Sequence, residues 1–388
     1  MRRALPLLAL VFVACGDDSA PEVDAAFDAA RDVPGLDAPG VDAPVDARGV
    51  DSAFDSGVDS GIDAGIPCEC PELSATCDGI TPGPVFSPDD VNFGQELMQA
   101  LACADETVHA ALYDVKWDCL VNAFAARLDA DPDLELSIVT DDGTCPFDGS
   151  AYDCALDALA DHPRVEIVLD GRPERMRHNF ITFDSLRTWV SSADLTEPSF
   201  CDQFNHSMVV ENAETVFAFE DVFFRMFFDR DFGPVPIEDP RFGGVYALYF
   251  SPQEPAGVAP NWFNDAIREI GAATIRVDVM MRDYDQFEIT NALLEARDRG
   301  VEVRVLVGVG AVDQPAVQTL REAGVEVRAA SMGHRVLIAD TATVLAGSVD
   351  FTSRSWNDNA NSLWIADATV AATFVREMDR VWSIASSE

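Results

Sequence analysis

Met176–Asp184 reads MRHNFITFD, and it returns as Met332–Asp340, MGHRVLIAD. Each copy has a Met, a polar triplet, a short apolar run and an Asp. Each is followed by a second matching piece: Ser191–Thr196 reads SSADLT, and Gly347–Thr352 reads GSVDFT. The offsets agree, since 340−184, 348−192, 350−194 and 352−196 are all 156. Four landmarks at one spacing mark an internal duplication, and they predict two like lobes with one site drawn from both copies.

The 388 residues leave room for two or three units with cores of their own, and 48% hydrophobic side chains fit globular packing. The formal net charge is −42, from 26 basic and 68 acidic side chains, and Lys116 is the only lysine. Such a surface repels phosphate backbones, so no nucleic-acid partner is expected. Of nine cysteines, Cys15 stands apart, while Cys68, Cys70, Cys77, Cys103, Cys119, Cys145, Cys154 and Cys201 all precede the second copy. An even number in an exported chain favours disulfides. A metal knuckle at Cys68, Cys70 and Cys77 is the weaker reading, because no His stands nearby.

Residues 1–14, MRRALPLLALVFVA, set two arginines before an apolar run that ends in Ala14, ahead of Cys15. This is the pattern of a signal peptide, too short for a permanent membrane span. A Cys directly after the cleavage point resembles the lipobox of bacterial lipoproteins, with Phe12 where Leu is usual. The resemblance implies that Cys15 is lipidated and tethers the protein to a membrane surface; the alternative is plain secretion. Residues 15–66 form a low-complexity acidic linker, with Asp at 51, 55, 59 and 63. Its composition predicts a self-repelling disordered spacer, since the regular Gly-rich turns of calcium-binding repeats are missing. Residues 67–84 carry three Cys and several Pro and read as a stapled lead-in to the fold.

The first lobe is expected over 85–236 and the second over 245–388. Apolar and β-branched runs predict strands at Val108–Val115, Leu134–Thr140, Val165–Leu169, Asn179–Phe183, Thr188–Val190 and Ser207–Glu211. Helical spacing is read at Gln95–Ala104, Asp118–Ala130, Tyr152–Ala160 and the Phe-rich Val216–Arg230. The second lobe replays this order, and Phe250-Ser251-Pro252 echoes Phe86-Ser87-Pro88. Alternating strands and helices give an α/β fold with mixed sheets flanked by helices.

The duplicated pattern resembles the phospholipase D superfamily. That signature, in each lobe, is His-x-Lys, four residues, Asp, six residues, Gly-Ser-x-Asn, with a Glu downstream. Asp184 is followed after six residues by Ser191-Ser192-x-Asp194, and Asp340 after six by Gly347-Ser348-x-Asp350. The resemblance covers both lobes, Phe86 to Trp382. It implies a metal-free phosphodiesterase without cofactors. One His attacks phosphorus, the other protonates the leaving oxygen, and Lys and Asn hold the phosphate oxygens.

Position by position, the residues depart from that pattern. The His positions hold Arg177 and Gly333, and the Lys positions hold Asn179 and Arg335. Asp184, Asp340, Ser192 and Ser348 are kept, while the Asn positions have become Asp194 and Asp350. The downstream Glu positions fall at Asn205 and Asn361, again 156 apart. His178 and His334 stand one residue late, and alternation along a strand aims them away from the cleft. His109, His162 and His206 have no counterpart in the duplication. A carboxylate–His metal site from Asp194, Asp350 and the two His is disfavoured by the same alternation, so no metal is expected.

The expected cleft therefore gathers Arg177 and Arg335 beside Asp194 and Asp350 as an ion-pair cluster. The reading is a surface lipoprotein with a phospholipase D-like fold, its phosphodiester chemistry lost or strongly reduced, serving as a binding module. The alternative is an active phosphodiesterase on phospholipid that uses His178 and His334.

Overall fold

The computed structural model describes residues 68–77, 80, 83–88, 93–145, 154–236, 241–242, 245–254 and 261–386. The stretches expected to be a signal peptide and an acidic linker, with Cys15 between them, lie outside the described residues. In the first lobe the elements are β1 (Val85–Phe86), α1 (Gln95–Ala102), β2 (Thr107–Leu112), α2 (Asp118–Ala130), β3 (Glu135–Thr140), β4 (Val165–Leu169), β5 (Asn179–Phe183), β6 (Arg187–Ser191), α3 (Glu197–Cys201), β7 (His206–Val210) and α4 (Ala213–Phe228). After the short strands β8 (Val235–Pro236) and β9 (Arg241–Phe242) come β10 (Tyr246–Ser251), β11 (Gln253–Glu254), α5 (Trp262–Ala272), β12 (Arg276–Met281), α6 (Phe287–Asp298), β13 (Glu302–Gly308), α7 (Pro315–Glu322), β14 (Glu326–Ala330), β15 (Arg335–Ala339), β16 (Thr343–Gly347), β17 (Ala360–Ile365) and α8 (Ala368–Ile384).

Two mixed sheets result. The first runs β1-β7-β6-β5-β2-β3-β4 and the second β9-β10-β17-β16-β15-β12-β13-β14, so the same order is built twice with β9 added at one edge. In each, three strands are parallel, β2-β3-β4 and β12-β13-β14. The rest are antiparallel around β5 and β15, which carry the two signature stretches. The apolar runs are near-continuous because both faces of these strands are covered. Side chains alternate between two cores. On β5, Ile181 and Phe183 pack under α1 and α2, while Phe180 points the other way. On β15, Leu337 and Ala339 pack under α5, α6 and α7, while Val336 and Ile338 face inward. The inward residues of both sheets share one core with α4 and α8, which form the middle layer.

All eight cysteines of the first lobe and its lead-in are paired: Cys68–Cys201, Cys70–Cys119, Cys77–Cys103 and Cys145–Cys154. Three of these staple residues 68–77 to α3, α2 and the end of α1. Four disulfides mark a protein of an oxidising, extracytoplasmic compartment. Among the described residues no helix is long and apolar enough to cross a membrane.

Two expectations change. Of the helix expected over Tyr152–Ala160, the described residues form only a 3₁₀ turn, Ala155–Ala158. Cys154 is fixed by its disulfide and the Ala155 N–H bonds the Val115 carbonyl, which leaves no run for helical propagation. Strand β10 was not anticipated; it lies beside β17 as β1 lies beside β7.

Candidate functional site

The starts of β5 and β15 meet across the lobe boundary with approximate two-fold symmetry. The Arg177 N–H donates to the Asn359 carbonyl at 2.7 Å, and the Asn359 N–H to that of Arg175 at 2.8 Å. From the other side, Gly333 and His334 both donate to the Phe204 carbonyl, at 2.9 and 2.8 Å. Backbone bonds of this kind fix residues 177 and 333 at one junction.

Arg177, Asn179, Arg335, Asp194 and Asp350 come together there. Asp350 is fully buried, with Arg177 Nη2 at 2.9 Å and Arg335 Nε at 3.1 Å. Arg335 also donates to the Ser192 carbonyl at 2.7 Å, which ties the second lobe to the first. Burial alone would push the Asp350 carboxyl up; Arg335, Arg177 and Arg282 together hold it below the usual carboxylate range. The Arg177 guanidinium lies over the Tyr113 ring, 5.6 Å from its centroid, and its Nε has no hydrogen-bond partner. Asp194 is held differently. It accepts from Asn179 Nδ2 at 2.8 Å and faces the half-buried Arg282 at 3.4 Å.

The positions of Asn205 and Asn361 complete the junction. A Cβ on Gly333 would fall 2.0 Å from Asn205 Oδ1, so the amide fills the space a side chain at 333 needs. Asn205 is pinned by Ser192 Oγ at 2.9 Å and by its own donation to the Ser199 carbonyl at 2.8 Å. Its counterpart Asn361 accepts from Ser348 Oγ at 3.2 Å and contacts His178 Nδ1 at 3.3 Å.

His178 and His334 lie on the opposite face of their strands, in the middle layer. His178 is fully buried between the ring edges of Phe180 and Phe250, its Nε2 has no partner, and burial pushes its pKa down to about 4. His334 contacts His206, Nδ1 to Nδ1, at 3.2 Å, and its Nε2 meets Glu377 at 3.0 Å. Glu377 in turn holds Arg380. The two signature imidazoles thus bond different partners instead of facing one another across the cleft. Neither Asp194 nor Asp350 bonds either imidazole, and among the described residues no group of three metal-ligating side chains forms. The duplication gave no signal for His206, since position 362 of the second copy is Ser.

Asp184 and Asp340 do not line the cleft. They sit at the far ends of β5 and β15, roughly 17 Å away at about 3.4 Å per residue. Both have positive φ, 51° and 50°, a turn conformation that Asp tolerates. Asp184 accepts the N–H groups of Asp105, Glu106 and Thr107 at 2.8 Å each. Asp340 does the same for Thr274, Ile275 and Arg276. They staple a hairpin turn to the start of the neighbouring strand.

A rim of carboxylates was not read from the sequence. Asp141, at the end of β3, accepts from Met176, Gly143 and Thr144 N–H groups, yet burial lifts it to about 6. Asp170, at the end of β4, is lifted to about 7 by burial and by Asp141.

Residues 266–382 match the family described as "Cardiolipin synthase, PLD-like domain". The mitochondrial cardiolipin hydrolase of Chlamydomonas reinhardtii is 29% identical over 125 residues, 30% of this chain and 55% of that protein. That of Xenopus laevis is 28% identical over 127 residues, 31% of this chain and 60% of that protein. The chain therefore spans little more than half the length of these relatives. Among solved structures, phosphatidylserine synthase of Haemophilus influenzae covers 79% of this chain and 87% of its own, with a TM-score of 0.58 and 14% identity. Polyphosphate kinase from Porphyromonas gingivalis covers 76% of this chain and 49% of its own, with a TM-score of 0.54 and 14% identity. These two likenesses are of fold, and they extend over both lobes.

Proposed function

The chain belongs to the phospholipase D superfamily, and from that premise we propose that its interlobe cleft has lost phosphodiester chemistry and that the protein is a surface-tethered binding module. The observation that carries this reading is Asn205 in the space of a side chain at 333, beside the Arg177–Asp350–Arg335 cluster. A guanidinium stays protonated across the physiological range, so Arg177 is neither nucleophile nor proton donor. Residue 333 offers no side chain. Asp350 stands at a family Asn position and already occupies Arg177 and Arg335, while Asp194 faces Arg282, so the cations of the cleft are taken up by its own carboxylates. The burial of His178 and His334 behind their strands supports this reading over one in which they act on phospholipid. The lipid tether at Cys15 is part of the proposal and rests on the sequence pattern at residues 1–18.

The test is turnover. The purified full chain is incubated with phosphatidylcholine, cardiolipin and a chromogenic phosphodiester, with and without divalent metal. We expect no hydrolysis above background. Hydrolysis that disappears in His178→Ala and His334→Ala would overturn the proposal.

A further inference from the structure

The Phe-rich helix α4 is used only in part by the fold. Its inward side buries Phe219, Val222, Phe223 and Phe227 in the middle layer. Its outward side carries Phe217 and Phe228, 71% and 69% exposed, with the partly buried Phe224 between them. At about 100° per residue, steps of seven and eleven residues return to within about 20° of the same line. The three rings thus form one stripe roughly 16 Å long, at about 1.5 Å per residue. The rings of Phe224 and Phe228 are 5.5 Å apart.

The duplication supplies an internal control. Helix α8 is the second copy of α4: the N-caps Asn212 and Asp367 each bond the helix's first N–H groups, at an offset of 367−212 = 155. At that offset the inward residues remain apolar, with Phe219 matched by Phe374 and Phe223 by Met378. The outward ones do not. Phe217, Phe224 and Phe228 are matched by Ala372, Asp379 and Ser383. The scaffold therefore has no need of aromatic rings at 217 and 228, which flank the partly packed Phe224, and exposed rings that packing does not require point to an external contact.

We infer that the outward stripe of α4 is a contact surface for a zwitterionic lipid bilayer, which seats the folded unit on the membrane to which Cys15 tethers it. Three observations choose this occupant over a second copy of the chain or an anionic surface. The three rings offer roughly 300–400 Å², taking about 200 Å² for a whole Phe side chain. That is short of the ~800 Å² per partner of a stable dimer. The charges beside the stripe are Glu214 and Asp221, Arg225 is paired to Asp231 at 2.6 Å, and Arg230 faces Glu166 at 3.7 Å, so no free basic cluster is there to meet anionic headgroups. The sequence between Cys15 and Cys68 is long enough as a coil to reach roughly 40 Å, which keeps the bilayer within range of α4. The stripe also ends near the cleft. Phe232, four residues beyond Phe228, accepts from Asn359 Nδ2 at 3.1 Å, and Asn359 holds the Arg177 N–H. Docking through α4 thereby brings the cleft close to the lipid surface. The inference rests on the tethered-module reading, but the two fail separately: turnover tests the cleft, and vesicle binding tests the stripe.

The experiment uses the full chain carrying Cys15→Ser, which has no acylation site, in flotation with phosphatidylcholine vesicles. Partial binding is expected, with an affinity reduced at least tenfold when Phe217→Ala and Phe228→Ser copy the second lobe. Thermal unfolding should be unchanged in that variant, because both side chains point outward. Vesicles enriched in phosphatidylglycerol should bind more weakly than neutral ones. The inference is overturned if the Cys15→Ser chain ignores neutral vesicles, if both Phe replacements leave binding intact, or if anionic vesicles bind better. It is equally overturned if sedimentation shows a dimer that the Phe replacements dissolve.

Discussion

Asp194 and Asp350 occupy the same place in two copies of one scaffold, and they are held in different ways. Asp350 has no exposed surface and meets two buried guanidiniums, Arg177 from the other lobe and Arg335 from its own. Asp194 takes one amide and one half-buried Arg282 from across the boundary. The difference follows from single positions. The second lobe has Arg335 where the first has Asn179, and the first lobe has Arg177 where the second has Gly333. Both long cations converge on one carboxylate, and the amide of Asn205 fills the place left at Gly333. A duplicated frame can thus lose two-fold symmetry in its charges while the backbone keeps it.

The sharpest way to break the comparison is to remove each carboxylate in turn. Asp350→Asn leaves Arg177 and Arg335 buried without their charge partner, a change that costs roughly 3–5 kcal/mol. Asp194→Asn keeps an acceptor for Asn179 and faces a partly solvated Arg282, so about 1 kcal/mol is expected. Urea titration at pH 7 measures both. Equal losses would mean that the two sites are not distinct. The acid limb gives a second reading. Because the folded-state pKa of Asp350 is depressed, its stabilisation is present above the unfolded value of about 3.9 and is lost as pH falls through the folded value. Asp350→Asn should remove that component of acid destabilisation.

A smaller effect is expected from giving lobe 2 a side chain where lobe 1 has one. Gly333→Ala places a Cβ against Asn205, which two hydrogen bonds hold in place. Overpacking of this kind costs about 1–3 kcal/mol. Adding Asn205→Gly opens the space, so the double variant should lose less than the sum of the two single changes. Strict additivity in a double-mutant cycle would show that the amide does not fill the position.

The fold was legible because the signature spacing fixes topology: one offset over four landmarks implied two equal lobes, and the strands around them follow from apolar runs buried on both faces. Alternation along β5 and β15 was enough to separate Arg177 and Asn179 from His178, and Arg335 from His334. Partners that lie outside the duplication were not legible. His206 reaches His334 from β7, and nothing at position 362 hints at it. The role of Asp184 and Asp340 was hidden for another reason. Their identity is set by a left-handed turn and three backbone N–H groups of a distant segment, which no local pattern displays. β10 was masked because its run, Tyr246–Ser251, follows residues whose Gly and Pro content reads as loop.

The least expected contrast between the lobes lies at the ends of their parallel strands. Thr140 pairs with Leu169 in the first sheet as Val307 pairs with Ala329 in the second. One residue further on, the first lobe has Asp141 and Asp170, and the second has Gly308 and Ala330. Burial raises both aspartates, to about 6 and about 7, and one oxygen of Asp170 has no partner. A carboxyl whose folded value is raised is stabilising while protonated. Its contribution is complete below the unfolded value of about 3.9 and is lost as pH rises through the folded value. The direction is opposite to that of Asp350, so the two effects bracket a stability maximum in mildly acid solution. Asp170→Asn keeps an acceptor for the Asp142 N–H at 3.1 Å and removes the ionisation. Its unfolding midpoint should match the unsubstituted protein below about pH 4 and exceed it increasingly as the pH rises to 8. Identical pH slopes for both proteins between pH 5 and 8 would mean that Asp170 ionises freely and that the two lobes do not differ in this respect.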